Sequence, residues 1–301
     1  MSSASPPPLF EVADERPVDD TTIALLREVK TACDRLGAEF VLAGAAARDI
    51  QMWHVHGVKA PVATRDVDVA VCVVSWAWYD ELVALLGRTG RFEQDAKEQQ
   101  KLLFRRPGDA FASQLDLVPF GALEAPPGAI AWPPGEDIVL TVLGFQEAVD
   151  TACSVHIGEG LVVPVVALPA FALLKLIAWK ERRARKNSDA SDLLFILRSY
   201  VDAGNGERLF EHAADLLVRH DFKAEYAAAG LLGREASAIA KPQTREFIRA
   251  MLDSPRVYDM LRADLFARAA TQMFGEPDEN TDALLAAFAE AFASASPRTG
   301  V

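Results

Sequence analysis

The run Val67-Asp68-Val69-Ala70-Val71-Cys72-Val73-Val74 is almost continuously apolar and β-branched, the pattern of a central strand covered on both faces. Such a strand cannot stand alone: its backbone needs paired neighbours, and each of its faces needs a packed layer. The surrounding sequence supplies both. Apolar residues at Ile23, Leu25, Leu26, Val29 and Cys33 predict a helix over Asp20–Leu36, with Asp20, Thr21 and Thr22 as capping candidates. Residues 39–43 read as a short strand ending on Gly44, followed by an Ala-rich helix. A helix over 76–86 follows the central run, and 101–105 and 114–118 read as strands around the turn Pro107-Gly108-Asp109. Four prolines between 121 and 134 mark a loop, after which strand-like segments resume at 138–143 and 161–166.

From Leu168 the strand signals stop. Helical spacing runs through 168–185, 189–200, 207–217, 222–239, 244–251, 256–274 and 281–292. This contrast predicts an α+β fold: a flexible leader at 1–18, a small mixed-sheet domain at 19–167 and an all-helical C-terminal domain at 168–301. The most apolar window, 161–179, is interrupted by Pro164, Pro169 and Lys175, so it reads as a buried strand and helix, with no membrane span. The N-terminal MSSASPPPLFEVADERP lacks the basic-then-apolar order of a secretion signal. Cys33, Cys72 and Cys153 have neither disulfide-framework nor metal-ligand spacing, so they are expected to be reduced core thiols of a cytoplasmic protein. A net charge of -12 works against general nucleic-acid binding, which relies on Lys and Arg at phosphates, while leaving room for a local basic patch. Nor does it oppose a nucleotide substrate whose charge is offset by metal ions.

Asp66 and Asp68 alternate with Val67 and Val69 at the start of the central strand, so both carboxylates project from one face at the end of the sheet. Two like charges this close are costly unless protonation or a divalent ion relieves them, which points to Mg²⁺ or Mn²⁺. Asp116, polar within the apolar strand Gln114-Leu115-Asp116-Leu117-Val118, offers a third carboxylate. Three acids on neighbouring strands suffice for two metals that bridge the attacking and leaving oxygens of a phosphoryl displacement. Taken alone, an Asp-x-Asp at a strand start also reads as a turn or edge device. Gly44 reads either as a tight turn or as a strand-to-helix junction whose backbone N–H groups hold phosphate. Lys175 lies on an apolar helix face, where a lysine is uncommon unless it meets a carboxylate or phosphate, and it is the foremost candidate cation for a triphosphate. Lys180, Arg182, Arg183, Arg185 and Lys186 form a basic run that equally suits a solvated helix end. Asp189 reads as an N-cap, Asp192 as a packed salt bridge, and His54 and His56 as surface or packing residues.

Leu42-Ala43-Gly44-Ala45-Ala46-Ala47-Arg48-Asp49, followed by Thr64-Arg65-Asp66-Val67-Asp68-Val69, resembles the DNA polymerase beta-type nucleotidyltransferases. Within that superfamily the chain is most similar to the bacterial nucleotidyltransferases related to abortive-infection toxins, with a more distant similarity to tRNA CCA-adding enzymes. The resemblance implies that the mixed-sheet domain is a nucleotidyltransferase domain moving a nucleoside monophosphate from a nucleoside triphosphate to an acceptor. It further implies that Asp66, Asp68 and Asp116 are the catalytic metal-binding carboxylates, and that Gly44, Ala45, Arg48, Lys175 and Lys180 bind the nucleotide. A helix around 174–180, Arg182 and the stretch 186–192 would close over that nucleotide. It suggests tRNA or protein as acceptor and an antitoxin as partner.

The chain departs from the family pattern twice: Gly44 is followed by Ala45 instead of Ser or Gly, and the interval from Gly44 to Asp66 is long, as if a loop were inserted at 51–57. Two rival readings stand beside the leading one. The first is a catalytically silent nucleotide- or partner-binding module, for which Ala45 and the acidic surface speak. The second is an aminoglycoside-type small-molecule acceptor, a polycation suited to an acidic pocket.

Overall fold

The computed structural model describes residues 9–61, 66–135, 139–185, 188–271 and 279–295. Thr64, Arg65, Ile138, Lys186, Asn187 and the segments 1–8 and 272–278, which entered the expectations above, lie outside the described residues. The chain forms two compact units, Met1–Ala167 and Leu168–Val301. Among the described residues no helix is long and apolar enough to cross a membrane.

In chain order the first unit contains β1 (Leu9–Glu11), α1 (Asp20–Leu36), β2 (Phe40–Ala43), α2 (Gly44–Asp49), β3 (Val67–Val73), α3 (Trp76–Arg88), β4 (Phe92–Gln94), β5 (Lys101–Phe104) and β6 (Ser113–Gly121). It ends with β7 (Ala129–Ala131), β8 (Val139–Thr141), α4 (Phe145–Asp150), β9 (Cys153–His156) and β10 (Val162–Val165). One mixed sheet has the order β1-β9-β10-β2-β3-β6-β5-β4, and β7 pairs with β8 beside it. β3 is the inner strand its composition demands, antiparallel to β2 and parallel to β6, with Val67, Val69, Val71 and Val73 no more than 2% exposed. α1 is closed at its start by Asp19, whose carboxylate accepts from Thr22 N at 2.9 Å, and at its end by Gly37 at φ 67.

The structure corrects several expectations. The cap of α1 is Asp19, not Asp20, Thr21 or Thr22. Of the expected leader, residues 9–11 form an edge strand parallel to β9, and Val18 is buried. The supposed loop insertion after α2 is helical: Ile50–Val55 winds one π-type turn, with His56 N donating to Gln51 O at 3.1 Å. Its helical course follows from what it buries, since Ile50, Gln51 and Met52 are all inside. The proline-rich loop contains β7, and β4, α4 and β9 appear where no element was anticipated; pieces of three to six residues leave too little periodicity to read.

The second unit comprises α5 (Leu168–Arg182), α6 (Ser188–Ser199), α7 (Gly206–His212), α8 (Ala214–Arg219), α9 (Ala224–Ile239), α10 (Pro242–Asp253), α11 (Pro255–Thr271) and α12 (Glu279–Ser294). The helix expected over 207–217 is two short ones, because Ala213 at φ -141, ψ 30 breaks the helical path. α9 and α12 cross closely where α9 carries Gly230 and Gly233. A Cβ on Gly233 would lie 2.2 Å from the Phe288 carbonyl oxygen, so only glycine permits this approach. Gly233→Ala is therefore expected to destabilise the chain by about 1–3 kcal/mol, read as a lowered denaturant midpoint at unchanged slope.

Candidate active site

The carboxylates are set by strand register. Ala43 on β2 faces Asp68 on β3, Asp68 faces Asp116 on β6, and Asp116 faces Lys101 on β5, so four strands contribute one row across a single face of the sheet. Asp68 and Asp116 are half-buried and adjacent because β3 and β6 run parallel in direct register. Gln114 Nε2 donates to Asp116 Oδ2 at 3.0 Å, while Asp116 Oδ1 is buried with no hydrogen-bond partner among the described residues. Burial pushes the Asp116 carboxyl above its ordinary value, outweighing the Gln114 hydrogen bond and the Lys101 charge, and Asp66 adds to the rise. Lys101 is itself held protonated, first by its hydrogen bond to Glu98 at 2.9 Å.

Gly44 ends β2 and starts α2 at φ 65, and a Cβ there would fall 1.9 Å from Asp68 Oδ2. The space a side chain would take is thus filled by the Asp68 carboxylate, which binds the turn and the acid into one constellation. Ala43 has no side chain to cap α2, so the first-turn N–H groups of that helix are oriented for an anion or water. Ala45 is half-buried in this first turn. Asp66 lies just before β3 and is exposed. Among the described residues, no three His, Cys, Asp or Glu side chains converge closely enough to hold one metal ion. What fits a cation is the Asp68–Asp116 pair with its unpartnered buried oxygen.

Arg48, a sequence candidate for nucleotide binding, is 4% exposed and donates to Asp49 Oδ1 from Nε at 2.8 Å and from Nη2 at 2.6 Å. Among the other candidates, His54 Nδ1 lies 2.6 Å from Arg16 O and His56 stacks edge-on against Phe10, so both are packing residues.

Lys175 and Lys180 belong to the helical unit, where Lys175 enters a buried charge cluster. Its Nζ is 3.2 Å from Asp189 Oδ1 and 2.6 Å from Asp192 Oδ2, and it lies over the Phe171 ring. Asp189 also accepts from Arg182, at 2.7 Å from Nε and 2.8 Å from Nη2. Asp189 is therefore the hub that joins α5 to α6, where a capping role was expected, and it accounts for the burial of Lys175. Asp192 makes the packed salt bridge foreseen for it. Lys180 is half-buried in the last turn of α5, without an ion pair among the described residues. Lys101 and Gln114 were missed as members of the carboxylate row; the polar positions alternating with Leu102 and Leu115 carried the signal.

A family model described as "Nucleotidyl transferase AbiEii toxin, Type IV TA system" matches residues 25–293. Among curated proteins no sequence matches. Among solved structures, an antigenic nucleotidyltransferase-like protein from Paracoccidioides brasiliensis is similar at 17% identity and a TM-score of 0.42, covering 70% of this chain and 94% of its own. The antibiotic-resistance factor ANT(2'')-Ia is similar at 15% identity and a TM-score of 0.34, covering 68% of this chain and 95% of its own. The Thermotoga maritima CCA-adding enzyme, in complex with tRNA, is similar at 11% identity and a TM-score of 0.25, covering 93% and 82%.

Two outcomes follow from this geometry. Gly44→Ala should push Asp68 out of position and lower turnover by about 100-fold with the far-UV circular dichroism unchanged. For Asp189, burial raises the carboxyl, but the Arg182 hydrogen bonds and the Lys175 charge outweigh it and hold the group below the ordinary 3.8. A depressed folded value contributes stability that is complete above 3.8 and is lost as pH falls through the folded value. Asp189→Asn should thus cost about 3 kcal/mol in denaturant unfolding at neutral pH, and the gap to the unsubstituted chain should narrow as the medium is acidified below that range.

Proposed function

The chain belongs to the AbiEii nucleotidyl transferase toxin family and is a nucleotidyltransferase, and from that membership we propose the site, the metal and the partners. The reaction moves a nucleoside monophosphate from a nucleoside triphosphate to a hydroxyl of the acceptor, with tRNA and protein as the acceptor classes. The P–O bond to the acceptor forms as the bond to pyrophosphate breaks. Asp68 and Asp116 would hold Mg²⁺ or Mn²⁺, with Asp66, at the exposed entry to β3, joining them when the ion is bound, and the backbone N–H groups at Gly44 and Ala45 hold phosphate.

One observation carries the reading: Asp116 Oδ1 is buried without a donor among the described residues, beside a second carboxylate in direct register, an arrangement that a divalent cation relieves. A bound divalent ion supplies neutralisation of phosphate charge and activation of the attacking hydroxyl. The chain's own residues do the positioning. Gly44 keeps Asp68 in place by leaving it room, and Gln114 fixes the orientation of Asp116. Lys101, across the sheet from Asp116, adds positive potential to the row. Main-chain N–H groups at Ala45 do the work for which other members of the superfamily have a serine hydroxyl.

Incubation with labelled nucleoside triphosphates, Mg²⁺, tRNA and protein tests the proposal. Label should pass to one acceptor class with release of pyrophosphate. A chelator should stop transfer, and Asp68→Asn should lower it by about 1000-fold without loss of fold. Expression of the chain without its antitoxin should slow growth, and Asp68→Asn should restore it. Transfer that continues undiminished in Asp68→Asn would overturn this site.

A further inference from the structure

The helical unit carries a depression of about 750 Å³ between the end of α9 and the exposed face of α10. Lys241, the N-cap residue of α10, and Arg245 and Arg249, one turn apart on that helix, line it. The like charges of Arg245 and Arg249 repel one another, and this chain, at net charge -12, has acids in surplus to neutralise them. Glu246 and Asp253 line the same depression, yet neither forms an ion pair with Arg245 or Arg249. The two guanidiniums are instead tethered by main-chain oxygens. Arg245 Nη2 donates to Ser237 O and Ala240 O, and Arg249 Nη2 donates to Ala293 O. Their remaining N–H groups have no acceptor among the described residues. Burial and then the neighbouring Arg249 charge hold the Arg245 guanidinium below its ordinary value, the mark of a positive charge not yet matched. α10 also begins here, with Pro242 in its first turn and no side-chain cap, so its dipole adds positive potential.

We infer that this depression is an anion site for phosphate groups, with Arg245 and Arg249 as its fixed donors and Lys241 at its rim. Guanidiniums anchored on one side by carbonyls present their free edges in a set direction, which suits the tetrahedral oxygens of phosphate. The ligand is a phosphate carried either by a nucleic-acid strand or by a small free phosphate compound.

The test uses the full chain with neither nucleoside triphosphate nor divalent ion present, so that its result is independent of the proposed chemistry. Fluorescence anisotropy reads binding of a short single-stranded RNA, and calorimetry reads binding of inorganic pyrophosphate. Binding of at least one is expected, with Arg249→Gln and Lys241→Gln each weakening it by about threefold to tenfold. In the RNA arm, each substitution should also lower the slope of log affinity against log salt by about one. Arg219→Gln, at an exposed arginine of α8, should leave binding unchanged. RNA binding alone assigns the phosphates to a nucleic-acid strand, and pyrophosphate binding alone assigns them to a free compound. The inference is overturned if neither ligand binds, or if Arg219→Gln weakens binding as much as Arg249→Gln does, with all variants melting as the unsubstituted chain does.

Discussion

Parallel pairing of β3 with β6 is the constraint on which the sheet-bearing unit depends. The register that seats Val67 against Leu115 and Val69 against Leu117, all buried, is the register that puts Asp68 beside Asp116. A slip by one residue would turn the valines outward and the acids inward at once, so the hydrophobic effect enforces the spacing of the carboxylates. Core and site are specified by the same alternation. That economy explains how two acids can be held side by side on a sheet without a dedicated scaffold: the valine face does the holding, and the acids sit at the strand start of the opposite face, whose further residues Ala70 and Phe120 are buried.

The helical unit solves a comparable problem differently. Asp189 is fully buried, yet three donors from Arg182 and Lys175 reach it, so the carboxylate satisfies both α5 and α6. A buried charge in such a setting contributes specificity of pairing as much as stability, since an alternative packing of α5 on α6 would leave at least one of these groups unmatched. Trp179 and Arg183 extend the arrangement through Asp264 on α11, at 2.9 and 3.0 Å. Charged residues here act as registration marks between helices.

How far the sequence disclosed this architecture depended on the length of each periodic signal. α1, with seventeen residues of helical spacing, and β3, with an unbroken β-branched run, were readable to within a residue or two. β1, β7 and β9, of three or four residues each, were not, because so short a run carries no periodic signal and, for β1, the pairing partner lies far away in the chain. The site divides the same way. Asp66, Asp68, Asp116 and Gly44 were visible as polar or small residues interrupting apolar runs. That Asp68 faces Asp116, that Lys101 closes the row and that Asp189 is a hub all depend on register and tertiary contact, which local spacing does not encode. Arg48 and Lys175 were legible as charged residues in an apolar context, while their ion pairs with Asp49, Asp189 and Asp192 depend on the folded placement of the side chains and were not.

Gly44 and Gly233 are both forbidden a side chain, but by different kinds of atom. At Gly233 the obstacle is the Phe288 carbonyl oxygen, part of the main chain, which every amino acid shares; no change of residue type at position 288 can make room. At Gly44 the obstacle is the carboxylate of Asp68, which a smaller residue would remove. A smaller residue at position 68 would therefore relieve the clash of a Gly44 substitution, but only by deleting the acid. The glycine at 44 is thus tied to the acid it accommodates, whereas at Gly233 the path of the main chain alone requires glycine.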